Sequence, residues 1–219
     1  MKIKAIVTGA TGMVGEGVLL ECLKNPEVEQ VLVINRRPGG ISNPKLKEII
    51  HGDFFNLAPI EKELSGYNAC YFCLGVSSVG MSKEDYKHFT FDLTVNFGQM
   101  MAKLNPEMTF CYVTGSGTDS SEQGSIAWAR VKGATENVLI RLFKNAYMFR
   151  PGFMKATAGQ KNVKSYYTYL AWLYPVGRLL FPSGFCTLEE VGKAMINVTV
   201  KGYSKQIIDV KDIVEIAKL

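Results

Sequence analysis

The segment Thr8-Gly9-Ala10-Thr11-Gly12-Met13-Val14-Gly15 constrains the fold of this chain more than any other. It follows a short run rich in β-branched residues, Ile3 to Val7, which reads as a strand. It opens a stretch with apolar residues at helical spacing, Val14, Val18, Leu19, Cys22 and Leu23, that stops at Asn25-Pro26. A strand that passes through three glycines into a helix gives each glycine a task. Gly9 permits the tight turn off the strand. Gly12 lets a pyrophosphate approach the backbone, at a position expected to need positive φ. Gly15 lets helix and strand pack closely. The free N–H groups of the helix start would carry the pyrophosphate.

The same rhythm continues. Strands are expected at Val31 to Ile34, Lys47 to Ile50, Cys70 to Leu74, Thr109 to Val113 and Tyr147 to Phe149. Between them fall a short helix from Pro59 to Leu64, a long helix capped by Ser82 and running to about Leu104, and a helix from Ile126 to Phe143. This alternation specifies an α/β, Rossmann-like doubly wound parallel sheet with helices on both faces. After Gly152 the pattern changes to an aromatic helical stretch from Val163 to Leu180, a helix from Leu188 to about Val200, a strand near Gln206 to Val210 and a last helical turn from Asp212 to Lys218. We read residues 1–153 as the Rossmann domain and residues 154–219 as a small C-terminal lobe, integral to it, over the sheet's carboxyl edge. Tyr166, Tyr167, Tyr169, Trp172, Tyr174 and Phe181 mark part of that lobe as a cover for a substrate cleft or as a homodimer contact.

A chain of 219 residues, 47% of them hydrophobic and 21% charged, can bury a full core and is not disordered. Its net charge of +5 is scattered, with Arg36-Arg37 the notable pair, so nucleic acid is not an expected partner. The apolar run at the N-terminus is too short for a signal segment, and the stretch Tyr166 to Pro182 is interrupted by Pro175 and Arg178. A cytoplasmic protein without a membrane span is therefore expected. Five cysteines, an odd number, argue for free thiols. Cys70 and Cys73 form a CxxC, but side chains three apart on a strand point to opposite faces and cannot act as a pair. No cluster has metal-ligand spacing.

The glycine loop resembles the dinucleotide site of the short-chain dehydrogenase/reductase superfamily. Its Thr-Gly-Ala-Thr-Gly-x-x-Gly form is similar to the extended and atypical members, the epimerase/dehydratase-like proteins. Gly52-Asp53-Phe54, Cys73-Leu74-Gly75, Val95-Asn96-Phe97-Gly98 and Phe149-Arg150-Pro151-Gly152 carry the resemblance through the first 153 residues. It is nearest to the atypical branch that includes the HIV Tat-interactive protein. The resemblance implies a cofactor held by Gly9, Thr11, Gly12, Met13, Val14, Asp53, Phe54, Leu74, Gly75, Lys132, Pro151 and Gly152. An acid at the end of the second strand would select NAD. This chain reads Ile34-Asn35-Arg36-Arg37 there, and two guanidinium groups can clamp a 2′-phosphate. NADP(H) is expected rather than NAD(H), with Arg36 and Arg37 as its phosphate ligands.

Most of the superfamily uses a Ser or Thr with a Tyr-x-x-x-Lys pair. The helix here reads Ala127-Trp128-Ala129-Arg130-Val131-Lys132, so Lys132 matches the lysine and Trp128 stands at the tyrosine position. An indole donates a hydrogen bond but does not titrate usefully. Thr114 or Ser116 would orient a substrate carbonyl, and the proton donor is left unassigned, or is water. Asp119, Glu122, Tyr112, Tyr166, Tyr167 and Tyr169 are other candidate acids, Tyr112 being better suited to packing. His51 and His88 are expected in packing or surface roles. Two readings follow. One is an NADP(H)-dependent oxidoreductase or epimerase-like enzyme acting on an unidentified, small, partly apolar substrate. The other is a non-catalytic NADP(H)-sensing protein.

Overall fold

Seven parallel strands make one sheet in the order β3-β2-β1-β4-β5-β6-β9. The structure is a computed structural model that describes residues 2–163 and 174–219. β1 (Ile3–Thr8) lies between β2 (Val28–Asn35) and β4 (Ala69–Phe72). β3 (Leu46–Ile50) closes one edge. On the other side follow β5 (Thr109–Val113), β6 (Asn145–Arg150) and β9 (Ile207–Asp209).

The strands read as continuous apolar runs because both faces of the sheet are covered. Alternate residues feed two cores. Ala5, Val7, Tyr71, Cys111 and Phe149 pack with α1 (Met13–Lys24), α6 (Leu188–Lys201) and α7 (Val210–Ile216). Ile6, Cys70, Phe72, Phe110 and Met148 pack with a 3₁₀ turn at Ala58–Leu64, with α3 (Leu93–Leu104) and with α4 (Ala127–Leu142). Cys70 and Cys73 belong to opposite layers, as strand geometry requires. Burial pushes both thiols up, Cys73 to about 12, so neither is a reactive thiolate at neutral pH.

The long helix after Ser82 is a correction. Ser82 caps it as expected, its Oγ accepting the Asp85 amide. The helix then runs as α2 (Lys83–Lys87), one π turn over His88–Asp92, and α3. The extra residue in that turn shifts the helical register between Tyr86 and Leu93, which periodicity alone does not reveal.

The residues after Arg150 do two things. β7 (Phe153–Lys155) and β8 (Phe185–Thr187) form a short parallel ladder, with α5 (Tyr174–Leu180) before it. α6 then lies against α1 so closely that a Cβ on Gly192 would stand 2.7 Å from Cβ of Glu21, and one on Gly17 2.9 Å from Cβ of Leu188. The aromatic stretch from Val163 to Leu180 lies outside the described residues except at Val163 and at its α5 end, and Tyr166, Tyr167, Tyr169 and Trp172 are among those not described.

Gly15 has the tightest contact of the first helix, a Cβ there falling 2.2 Å from the Gly9 carbonyl oxygen. Gly15→Ala should therefore cost about 1–3 kcal/mol or more, as overpacking against backbone does. Gly75→Ala, with no atom within 4 Å, should change stability by less than about 0.5 kcal/mol. Urea denaturation of the two variants checks this, and equal midpoints would contradict it.

Candidate functional site

The carboxyl ends of β1 and β4 meet where the chain order of the strands reverses, the place where open α/β sheets hold ligands. Gly9 makes the turn off β1 with φ +70°, and a Cβ there would stand 2.8 Å from the Cys73 carbonyl oxygen and the Leu74 nitrogen. The Gly12 amide donates to the Gly9 carbonyl at 2.9 Å. Gly12 itself is extended, with φ −104°. The expectation of positive φ at Gly12 is thus corrected: the left-handed residue is Gly9, and a Cβ on Gly12 would meet only the Gly9 oxygen, at 3.4 Å. No side chain caps α1, so the first-turn amides, beginning with Met13 and Val14, face the space over the turn.

From this turn a cleft of about 360 Å³ runs across the ends of β1, β2, β3 and β4. Of the expected cofactor residues, Gly9, Thr11, Arg36, Asp53, Phe54, Leu74 and Gly75 line it. Arg37 is exposed and outside its lining, and Gly12, Met13, Val14, the half-buried Lys132 and Gly152 and the buried Pro151 are outside it too. Asn35 lines it too, and sequence reasoning missed it. The Asn35 amide donates to Glu48 Oε1 at 2.7 Å, and the same oxygen accepts the Gly39 amide at 2.9 Å. A carboxylate from β3 thus shapes the loop carrying Arg36, a long-range contact that the local sequence does not signal. Asp53 Oδ1 accepts the amides of Phe55 and Asn56, closing an Asx turn. His51 Nε2 lies 2.6 Å from the Asp53 carbonyl and 2.8 Å from that of Asn56, and the Asn96 amide donates to the carbonyls of Phe54 and Phe55. His88 stacks on Phe55 at 4.4 Å. Both histidines hold structure, as expected of them. The π turn carries Phe89 and brings Leu93 to the cleft's apolar wall.

Beyond the cleft, the loop after β5 meets α4. Lys132 Nζ donates to the Thr114 carbonyl at 2.9 Å. Burial pushes its ammonium down to about 8, against the opposing pull of Glu136. Glu136 is fully buried and forms an ion pair with Arg150 at 2.5 Å. The Thr114 hydroxyl donates to Glu136 at 2.7 Å and is also 3.1 Å from the Phe149 carbonyl, so its hydrogen points inward and only its lone pairs remain for a ligand. Ser120 donates to Glu136 and accepts from Arg150. Ser116 is exposed, and its backbone amide donates to the Pro151 carbonyl. Gly152 packs on Gly184 rather than facing the cleft, since a Cβ there would lie 2.3 Å from the Gly184 oxygen.

The chain matches the NAD dependent epimerase/dehydratase family over residues 5–123, more than half its length. It belongs to that family. Protein fmp52-1, mitochondrial, of Aspergillus terreus is 28% identical over 68% of this chain and 66% of its own. Leucinostatins biosynthesis cluster protein T of Purpureocillium lilacinum is 26% identical over 63% of this chain, which spans about half (51%) of that relative. Among solved structures, ADP-L-glycero-D-manno-heptose-6-epimerase of Helicobacter pylori superposes with a TM-score of 0.68 at 15% identity, covering 99% of this chain and 81% of its own. UDP-glucuronic acid 4-epimerase of Bacillus cereus, in complex with NAD, does so at 0.66 and 15%, covering 94% and 76%. At these identities the solved structures share the fold. The mitochondrial relative lends no support to a cytoplasmic location; no helix among the described residues is long and apolar enough to cross a membrane.

Within this epimerase/dehydratase-type fold, the candidate acids fall away one by one. Asp119 is held ionised by hydrogen bonds, first from Ser121 and then from the Gly124 amide, and its carboxyl lies below the usual range. Glu122 accepts from Asn137. Tyr112 is buried in the core, and burial raises its phenol. Trp128 stands one helical turn before Lys132, its indole edge 3.6 Å from where a Cβ on Gly117 would be. Tyr166, Tyr167 and Tyr169 lie outside the described residues.

The buried ion pair sets the loop's stability. Arg150→Met would leave Glu136 charged and unpaired in the core, at a cost of about 3–5 kcal/mol. The double change Glu136→Gln with Arg150→Met should recover most of that loss. Urea denaturation of the three proteins measures both, and a double variant as unstable as the single one would contradict the account.

Proposed function

We propose that this chain is a nicotinamide-dinucleotide-dependent oxidoreductase or epimerase-like enzyme that uses NADP(H). The observation that carries the reading is the glycine turn, with Gly9, Thr11 and Arg36 on the lining of one cleft and the helix that follows left without a side-chain cap. The residues fit the group. The space at Gly12 admits a pyrophosphate, and the Met13 and Val14 amides can donate to it. Asp53, Phe54, Leu74 and Gly75 border the room for the adenosine end. The exposed guanidinium of Arg36 is placed for a 2′-phosphate, with Arg37 as a second, more distant cation. A bound dinucleotide would supply hydride exchange.

The protein's own part is to bind, orient and hold a proton. Ser116 presents an exposed hydroxyl for a substrate carbonyl, while Thr114 is tied to Glu136 and fixes the loop. Lys132, anchored on the Thr114 carbonyl, can hold a ribose hydroxyl. Trp128 cannot move a proton, so Lys132 is the group near this loop that both titrates near neutral pH and is free to exchange one. The Trp128 replacement also favours a second reading, an NADP(H)-binding regulatory protein without turnover. Oxidation of NADPH across a panel of carbonyl compounds separates the two.

Calorimetry should find NADPH bound more tightly than NADH. Arg36→Ala should reduce that preference about tenfold or more, since a charge-assisted hydrogen bond contributes roughly 1.5–3 kcal/mol, and Arg37→Ala should reduce it less. Equal affinities for the two cofactors in the native chain would reject the assignment. Gly12→Val should fold normally, because its φ suits any residue, yet give no thermal shift with NADPH.

The pH dependence follows from Lys132. Its pKa is lowered to about 8, so the ammonium that donates to the ribose is lost as pH rises through that value. NADPH affinity should fall over the same range, and Lys132→Met should bind more weakly with a flat profile. Trp128→Tyr should leave NADPH affinity unchanged and give no faster turnover. A clear gain in rate in that variant would mean the protein is a reductase that has only lost its acid.

A further inference from the structure

A second cleft, of about 170 Å³, lies between the loop after β4 and the start of α4. Its walls are Met81, Tyr86, Ala127, Trp128 and Val131. Three observations bear on what it holds. First, it joins the two halves of the site. Ser78 on its rim follows Val76, which lines the dinucleotide cleft, by two residues, and Trp128 lies between the hydroxyl loop at Gly117 and this space. Second, its polar lining is sparse. Ser82 is already engaged, accepting the Asp85 amide and donating to the Asp85 carboxylate, which leaves Ser78, the exposed Lys83, the Tyr86 phenol and the Trp128 indole N–H. Third, the chain neighbours of two lining residues are exposed apolar side chains, Val79 next to Ser78 at 88% and Ile126 next to Ala127 at 53%.

Resting on the reading of the protein as a dinucleotide-dependent enzyme, we propose that this cleft is its substrate subsite. It takes the apolar end of a carbonyl compound, a single ring or a short branched aliphatic chain, rather than a sugar. Size and chemistry both support this. An apolar cavity of about 150 Å³ accommodates a benzene ring, so this one suits a ring of that class. A hexose would bury several hydroxyls against Met81, Val131 and the Trp128 face, where few partners exist, and each unpaired group costs binding. Trp128 then has a positive task. It trades the proton of a tyrosine for a flat wall against which a ring packs.

The test uses 4-fluoroacetophenone as probe, followed by ¹⁹F NMR titration of the full chain with and without NADPH. Saturable binding is expected, weakened at least tenfold by Ala127→Leu and by Met81→Phe, which fill the cleft from opposite walls. NADPH thermal shifts of the two variants report that they fold, since neither residue lines the dinucleotide cleft. UDP-glucose should not compete with the probe. Absence of saturable probe binding, binding undiminished in both filled variants, or displacement by UDP-glucose would each overturn the subsite. Failure of NADPH itself to bind the native chain would instead overturn the dinucleotide reading, and the two failures are read in separate titrations.

Discussion

The structure depends on a contact between backbones. Gly9 turns with its Cα against the Cys73–Leu74 peptide, and its carbonyl lies under Gly15, so neither position has room for a Cβ. That double approach draws the end of β1 against β4 and sets the first turn of α1 over the sheet's edge. The amides of that turn are left without a side-chain cap. The same helix is gripped on its other side by α6, through Gly17 and Gly192. Glu16, buried in the first turn, accepts the amides of Lys161 and Asn162, and Gln160 donates to the Met13 carbonyl. Residues 160–162, after β7, are thereby tied to the first turn of α1.

The elements of the fold were legible because both signals that specify them are local. Continuous apolar runs such as Ala5 to Val7 and Cys70 to Phe72 suit central strands between two helical layers, and Ser82 announced its helix by capping chemistry. The π turn was not legible, since it depends on packing around Thr90 and Leu93 rather than on a turn residue. The positive φ was assigned to the wrong glycine for a related reason. Spacing marks which glycines matter, but the one that must be left-handed is fixed by the approach of β4, sixty residues away in the chain.

The candidate site divides in the same way. Gly9, Thr11, Arg36, Asp53, Phe54, Leu74 and Gly75 gather around one cleft because each stands at the end of a strand. Asn35 and Glu48 escaped notice because their pairing crosses from β2 to β3. Thr114 looked like a free hydroxyl in sequence. Its commitment to Glu136 depends on a residue one helical turn after Lys132, on α4, and on Arg150 at the end of β6.

That network bears on how a chain without the usual tyrosine could still manage a proton. Glu136 and Arg150 neutralise each other in the core, and Lys132 stands beside them, anchored on the Thr114 carbonyl. Where a phenol stands at position 128, the lysine serves to lower the phenol's pKa. Here Trp128 has no proton to release, and the lysine's own pKa has been brought to about 8 by burial against the loop. The electrostatic work has passed from the pair to one member of it. On the proposed reading, a single desolvated ammonium in that position would be the donor to a ribose hydroxyl, with a proton it can give up near neutral pH.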